Sequence, residues 1–471
     1  MSENDAERDA VQADDGGTPR VNVTLTAQPE KLLLRPTGSR RHAVFSVLAE
    51  REQQADETPT APAPPRRPLT LALTLDRSGS MSGAPLRMAK RVAVALVDGL
   101  TEQDELAVVI FDDKIETLRE LSRVTPEVKR ELRRALERVE ARGSTALHEA
   151  WLTSCNMLAG DHLAEDRLAR CYLLTDGQAN VGETDVETIA TQAAGVREHA
   201  GVSTSAFGLG DDYNEHLLGP WAIAGGGQFH DLRTLADLAD TFLGERDELR
   251  TVVALRTRLE VEMAPGMSAE TISAYWRADG ANSQSSQSSQ SNQSSQSSHA
   301  QRWRLDIGDL INGEERNIVV RFNFPKVDKA YAYIVRARIV WVDGRGEHSG
   351  PWQEMTFGYG SNEACDDEPR NPLAMRAIGL AHADRTRRRA LELAAHHDNE
   401  GVQRLIQQTI TRIGEYAHDD PELLAAIREL EELAETIRNQ RLTARMAKQT
   451  YFASQTRSRG QRDYRKGGGD L

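Results

Sequence analysis

The sequence predicts an α/β fold: a doubly wound, Rossmann-like sheet of parallel type covered by helices, flanked by β-rich text and followed by a C-terminal α-helical region. Three observations predict it. Between Leu69 and Leu249, short apolar runs alternate with amphipathic stretches, as buried parallel strands alternate with covering helices. Before Glu50 and after Thr251, apolar and polar residues alternate in the manner of strands with one buried face. Beyond Asn371, apolar residues recur at helical spacing. A chain of 471 residues exceeds one ordinary core, so two or three domains are expected.

In chain order, residues 1–19 are polar and acidic and read as disordered. Residues 20–50 hold "RVNVTLTA" and "HAVFSVLAE", two strands of a β-sandwich that resumes at 250–360. Residues 51–68 form a Pro-rich linker. In 69–249 the strands are "LTLALTLD" (69–76), "ELAVVIFD" (105–112), "ARCYLLTD" (169–176), "VSTSAFGLG" (202–210) and "GQFHDL" (227–232). Helices are expected at 85–100, 126–140, 145–159, 185–200, 214–226 and 234–249. The second opens on Thr125-Pro126, a capping residue before a first-turn proline.

The sandwich text returns as "VALRTRLEVEM", "QRWRLDIGDL", "ERNIVVRFNFP" and "AYAYIVRARIVWV", with Trp276, Trp303, Trp341 and Trp352 expected in its core. Within it, 282–301 is a Ser/Gln repeat with nothing to bury, read as a disordered loop. Residues 371–450 read as helical, and 451–471 as a basic disordered tail. Leu423, Ile427, Leu430 and Ile437 approach heptad spacing, which suggests a homodimer through the C-terminal helices.

Composition narrows the function. Net charge is −14, while Arg438–Asp470 carries nine Lys/Arg against two Asp/Glu. An acidic body argues against general nucleic-acid binding. Cys155, Cys171 and Cys365 are odd in number and far apart, so neither a disulfide framework nor a metal spacing is visible. The N-terminus lacks the basic start and apolar core of a secretory signal, and no apolar run reaches the ~20 residues of a membrane span. The expectation is a cytoplasmic protein of bacterial style.

"LTLALTLDRSGSMSG" (69–83) carries the chemistry. A parallel sheet binds ligands beyond the carboxyl ends of its strands, and Asp76 ends the domain's first strand. Ser78 and Ser80 follow at two-residue spacing, with Gly79 letting the backbone turn. "ARGSTALHEA" places Thr145 at a helix start, and "YLLTDGQAN" places Asp176 at another strand end. All five offer hard oxygen and no sulfur or nitrogen, the chemistry of Mg²⁺ or a similar cation. The residues leave Mn²⁺ and Ca²⁺ open as alternatives.

These residues resemble a von Willebrand factor type A domain over Leu69–Leu249. Asp76, Ser78, Ser80, Thr145 and Asp176 match, in order, the family's metal-ion-dependent adhesion site. The resemblance implies that the hydroxyls contact the ion and that the aspartates act directly or through water. One position stays open for an Asp or Glu of a protein partner. His148 and Gly177 are expected on the rim of that contact. The flanks resemble inter-alpha-trypsin-inhibitor heavy-chain-like and bacterial proteins in which the A domain is inserted into a β-rich domain. The resemblance implies a non-catalytic adaptor working beside an ATPase or other effector.

Two competing readings stand beside it: a scaffold whose metal only stabilises the fold, and a metal-dependent phosphohydrolase. A resemblance to haloacid-dehalogenase-like phosphatases would imply an acid/base aspartate two residues after Asp76, where this chain has Ser78. No G-x-S-x-G elbow is present either.

Overall fold

The computed structural model describes residues 20–51, 67–159, 167–176, 180–210, 213–232, 251–278, 301–326 and 332–461. The expected N-terminal tail, most of the linker, the helix at 234–249, nearly all of the Ser/Gln loop, Gly177 and the last ten residues lie outside them.

The chain opens with β1 (Val21–Pro29), β2 (Leu33–Leu34) and β3 (Ser39–Arg51). The α/β domain follows as β4 (Leu69–Asp76), α1 (Ala84–Gly99), β5 (Glu105–Phe111), β6 (Ile115–Arg123), α2 (Pro126–Glu137), α3 (Leu147–Met157), β7 (Leu168–Thr175), α4 (Val186–Ala200), β8 (Val202–Leu209), α5 (Glu215–Ala224) and β9 (Gly226–Leu232). The β-rich part resumes with β10 (Val252–Met263), β11 (Ser268–Thr271), β12 (Trp276–Ala278), β13 (Gln301–Ile311), β14 (Glu314–Phe324), β15 (Tyr333–Asp343), β16 (Gly346–Ser349) and β17 (Gln353–Tyr359). Helices α6 (Asn362–Asp367), α7 (Pro372–Ala395), α8 (Asn399–Ala417), α9 (Pro421–Arg438) and α10 (Ala444–Ser458) complete the described chain.

The α/β sheet runs β6-β5-β4-β7-β8-β9, with β4 at its centre. All pairs are parallel except β5–β6. β4, β7 and β8 are buried along their whole length, as apolar runs covered on both faces must be. The edge strand β6, "IETLRELSR", has no fully buried residue. Its charged, half-exposed text carries no strand signal, so this antiparallel edge strand was not among the expected ones.

Two sheets, β1-β3-β14-β11 and β12-β13-β10-β15-β17-β2 with β16 beside β15, antiparallel except for the β17–β2 pair, close over a shared core that includes Phe45, Val261, Leu305, Phe322 and Phe357. The α/β domain is inserted between β3 and β10 of this sandwich. Trp303 and Trp341 are buried, but Trp352 is 38% exposed with Arg338 stacked on its ring, so it is not a core residue.

The two bodies share apolar packing: Val252, Leu255, Ile311 and Val342 of the sandwich join the core formed by β4, β5, α1 and α2. The helical region packs on the sandwich through Met375 and Ile378 against Val44 and Val319.

The C-terminus corrects one expectation. Instead of a disordered tail from 451, the chain forms α10, and Arg459 beyond it is buried. Phe452 joins the α/β core and meets the ring of Phe229, and Lys448 Nζ donates to Tyr213 O at 2.6 Å. Arg459 Nη1 donates to Gly227 O, while Tyr275 Oη donates to Arg459 O. Polar side chains that satisfy backbone carbonyls read as a solvated tail in sequence.

The heptad-like positions Leu423, Leu430 and Ile437 are buried inside the chain's own helical bundle. Among the described residues no helix is long and apolar enough to cross a membrane.

Candidate functional site

Strand order fixes the location of the site. β4 has β5 on one side and β7 on the other, so chain direction across the sheet reverses at β4 and leaves a crevice at the carboxyl ends. Asp76 is the last residue of β4 and is completely buried. The β4–β7 register pairs Leu75 with Leu174, which brings Thr175 beside Asp76. Thr175 Oγ1 donates to Asp76 Oδ2 at 2.6 Å, and Ser78 N donates to Oδ1 at 2.7 Å. Both donors are neutral. Burial, with the nearby charge of Asp176 adding to it, pushes the Asp76 carboxyl up to about 6, although its hydrogen bonds oppose the shift.

The loop after β4 is fixed by backbone contacts. Ser78 and Ser80 flank Gly79 at the start of a short 3₁₀ turn, and their hydroxyl oxygens stand 3.1 Å apart. Gly79 N donates to Gly143 O at 3.1 Å, and a Cβ on Gly79 would press on that carbonyl. This close approach joins the first loop to the one carrying Thr145. Ser78 and Thr145 are almost fully buried and Ser80 is exposed, so the group runs from the interior to the surface.

Two further contacts bring in the loop after β7. Thr145 N donates to Asn180 Oδ1 at 2.8 Å, and Thr145 O accepts from Asn180 N and Val181 N. Asp176 O accepts from Asn214 N at 3.1 Å, and the Asn214 side chain caps α5. Asp76, Ser78, Ser80, Thr145 and Asp176 therefore lie on loops that bond to one another.

One residue not singled out in the sequence ties these loops together. Asp112, at the end of β5, is fully buried and accepts from Arg77 Nε at 2.9 Å and Arg142 Nε at 2.7 Å. Its carbonyl accepts from Ala146 N at 2.8 Å. Burial raises its carboxyl, but Arg142, the Lys114 amide and Arg77 outweigh that and hold it below the usual range. Arg77 is thereby turned to Asp112 and Glu116, away from Asp76. The available signal was position: an aspartate at the carboxyl end of the strand next to β4.

His148 departs from expectation. It is buried in the first turn of α3, packed against Trp151 and Trp221, with Nε2 bonded to Gln192 Oε1. Two apolar rings draw it into the core, so it does not line the surface. The three cysteines are free and buried. Among the described residues, no three His, Cys, Asp or Glu side chains gather at metal-binding separation. A cation held here would depend on hydroxyl oxygens as well as the two carboxylates.

Residues 71–241 match the sequence model of the von Willebrand factor type A domain. The chain carries a von Willebrand factor type A domain. An uncharacterised Synechocystis protein, sll0103, is 31% identical over 247 residues, which cover 52% of this chain and 55% of that protein. Human inter-alpha-trypsin inhibitor heavy chain H3 is 30% identical over 163 residues, covering 33% of this chain and 18% of that one. The chain thus spans about half the length of the first relative and under a fifth of the second. A solved structure described as von Willebrand factor type A from Catenulispora acidiphila superposes with a TM-score of 0.67 at 15% identity, covering 93% of this chain and 98% of that one. That likeness is one of fold, and it extends beyond the A domain to the sandwich and the C-terminal helices.

Proposed function

We propose that the A domain holds a divalent cation, Mg²⁺ by preference, and presents it to an Asp or Glu of a protein partner, so that the protein acts as a metal-dependent adaptor. Ser78, Ser80 and Thr145 would supply hydroxyl oxygens, and Asp76 and Asp176 the carboxylates. When bound, the ion would supply positive charge and a coordination position for an incoming carboxylate.

One observation carries this reading. Asp76 is a buried carboxylate at the crevice, near Asp176, and its hydrogen-bond donors are neutral. Buried charge demands compensation. The nearest loop arginine, Arg77, is committed elsewhere. A cation among oxygen donors fits that deficit, and two carboxylates leave it with unspent positive charge.

Binding is favoured over phosphoryl transfer because the position two residues after Asp76, where that chemistry would want an acid/base aspartate, is Ser78. His148 is buried, and its Nε2 is bonded to Gln192 Oε1 rather than to a serine.

The test is capture of partners from the source lysate in Mg²⁺, in EDTA, and with Thr145→Ala in Mg²⁺. Partners lost in both latter arms support docking through the ion. Partners retained in all three contradict it and favour a scaffold role.

A further inference from the structure

At the opposite end of the A-domain sheet, a cleft of about 340 Å³ separates α4 from the sandwich strands β10, β13 and β15. Its walls carry four arginines, Arg197, Arg256, Arg258 and Arg304, beside the small apolar surface of Ala194 and Val342. The carboxylates of the cleft are already taken. Glu347 accepts from Arg258 at 2.9 Å, Asp306 pairs with Arg197, and Glu198 accepts from Arg304 at 3.5 Å.

Arg256 is different. It has φ +48, an uncommon conformation for a residue with a side chain, and it falls where the β10 ladder shifts register against both β13 and β15. Its amide donates to Asp309 Oδ1 at 3.0 Å; its guanidinium feels the charges of Asp309 and Glu347 at longer range but makes no hydrogen bond or close ion pair with any described residue. It is half-buried and lies over Gly201, where a Cβ would stand 2.1 Å from Nη2. Behind it, Arg197 is 2% exposed and is matched by Asp306 and by Asp309, whose Oδ1 lies 3.6 Å from its Nη2. A strained backbone thus holds an unpaired guanidinium in a cleft whose other charges are matched.

We propose that this cleft binds a small organic anion bearing a carboxylate or phosphate, with the Arg256 guanidinium as its anchor. The planar fork suits bidentate recognition of either group, and the volume suits a small metabolite. The ligand would bridge the A domain and the sandwich, far from the proposed cation.

The test uses the full chain at constant ionic strength, titrated with inorganic phosphate and with succinate against a chloride control, read by calorimetry and melting temperature. Arg256→Gly and Arg256→Asn remove the guanidinium while tolerating positive φ. The expected result is saturable binding of at least one probe, weakened about tenfold or more in both variants, with apo variants melting no lower than the wild type. Phosphate against succinate then tells which oxyanion the site prefers. The proposal is overturned by absence of saturable binding, by equal binding in the variants, or by apo variants that melt well below the wild type, which would make Arg256 a structural support.

Discussion

Asp76 and Asp112 are both buried strand-end aspartates, yet their surroundings assign them opposite roles. Asp112 faces two guanidinium groups and stays ionised. Asp76 faces neutral donors and a second carboxylate. Asp112→Ala would strand the nearly buried Arg77 and free the loops carrying Ser78 and Thr145. It should cost about 3–5 kcal/mol, measured by urea unfolding. Asp76→Asn should be tolerated or mildly stabilising without metal, because it removes a costly buried charge, while abolishing cation binding. A drop in apo stability comparable to that of Asp112→Ala would show that Asp76 has a structural role instead.

Among the elements, α10 and α7 give the sharpest expectations. Phe452 of α10 is buried against Phe229, so Phe452→Ala should cost about 3–5 kcal/mol; a solvated tail would give no change. In α7, His382 Nε2 lies 3.1 Å from His42 Nε2, and His42 in turn pairs with Glu30 at 3.0 Å. Burial, then the charges of His42, Arg412, Arg385 and Arg321, lowers the His382 imidazole to about 3. A depressed histidine gives stability that is complete above the unfolded value near 6.5 and is lost as pH falls towards 3. Between pH 6.5 and 5 the wild type should lose about 2 kcal/mol from this group, and His382→Asn should flatten that part of the curve.

These elements also mark what the sequence disclosed. β4, β7 and β8 were legible because strands buried on both faces leave unbroken apolar text. The five oxygen residues were legible because loops at the carboxyl ends of a parallel sheet converge. β6 was not, since an edge strand keeps one face in water. Nor was the second half of α10 from 451 onward, held by Phe452 and by Arg459 just beyond it, whose partners lie far away in sequence. Arg77 and Arg142 around Asp112 belong to the same class, because only the folded loops bring them together.

At the scale of the whole molecule, the A domain is bound into its surroundings on two sides. Leu255, Ile311 and Val342 extend its core into the sandwich, and Phe452 and Lys448 attach the C-terminal helices. Calorimetry should therefore give one dominant unfolding transition; separate transitions for the A domain and the rest would contradict this packing. Lys448 donates to Tyr213 O, the neighbour of Asn214, whose amide bonds Asp176 O, so the C-terminal helix reaches the candidate site in two steps. The most direct measurement is calorimetric titration of the full chain with Mg²⁺, for the wild type and for Asp76→Asn and Thr145→Ala. One saturable site in the wild type and its loss in both variants are expected. A wild type that binds no Mg²⁺, or variants that bind it equally well, would contradict a cation site at Asp76 and Thr145.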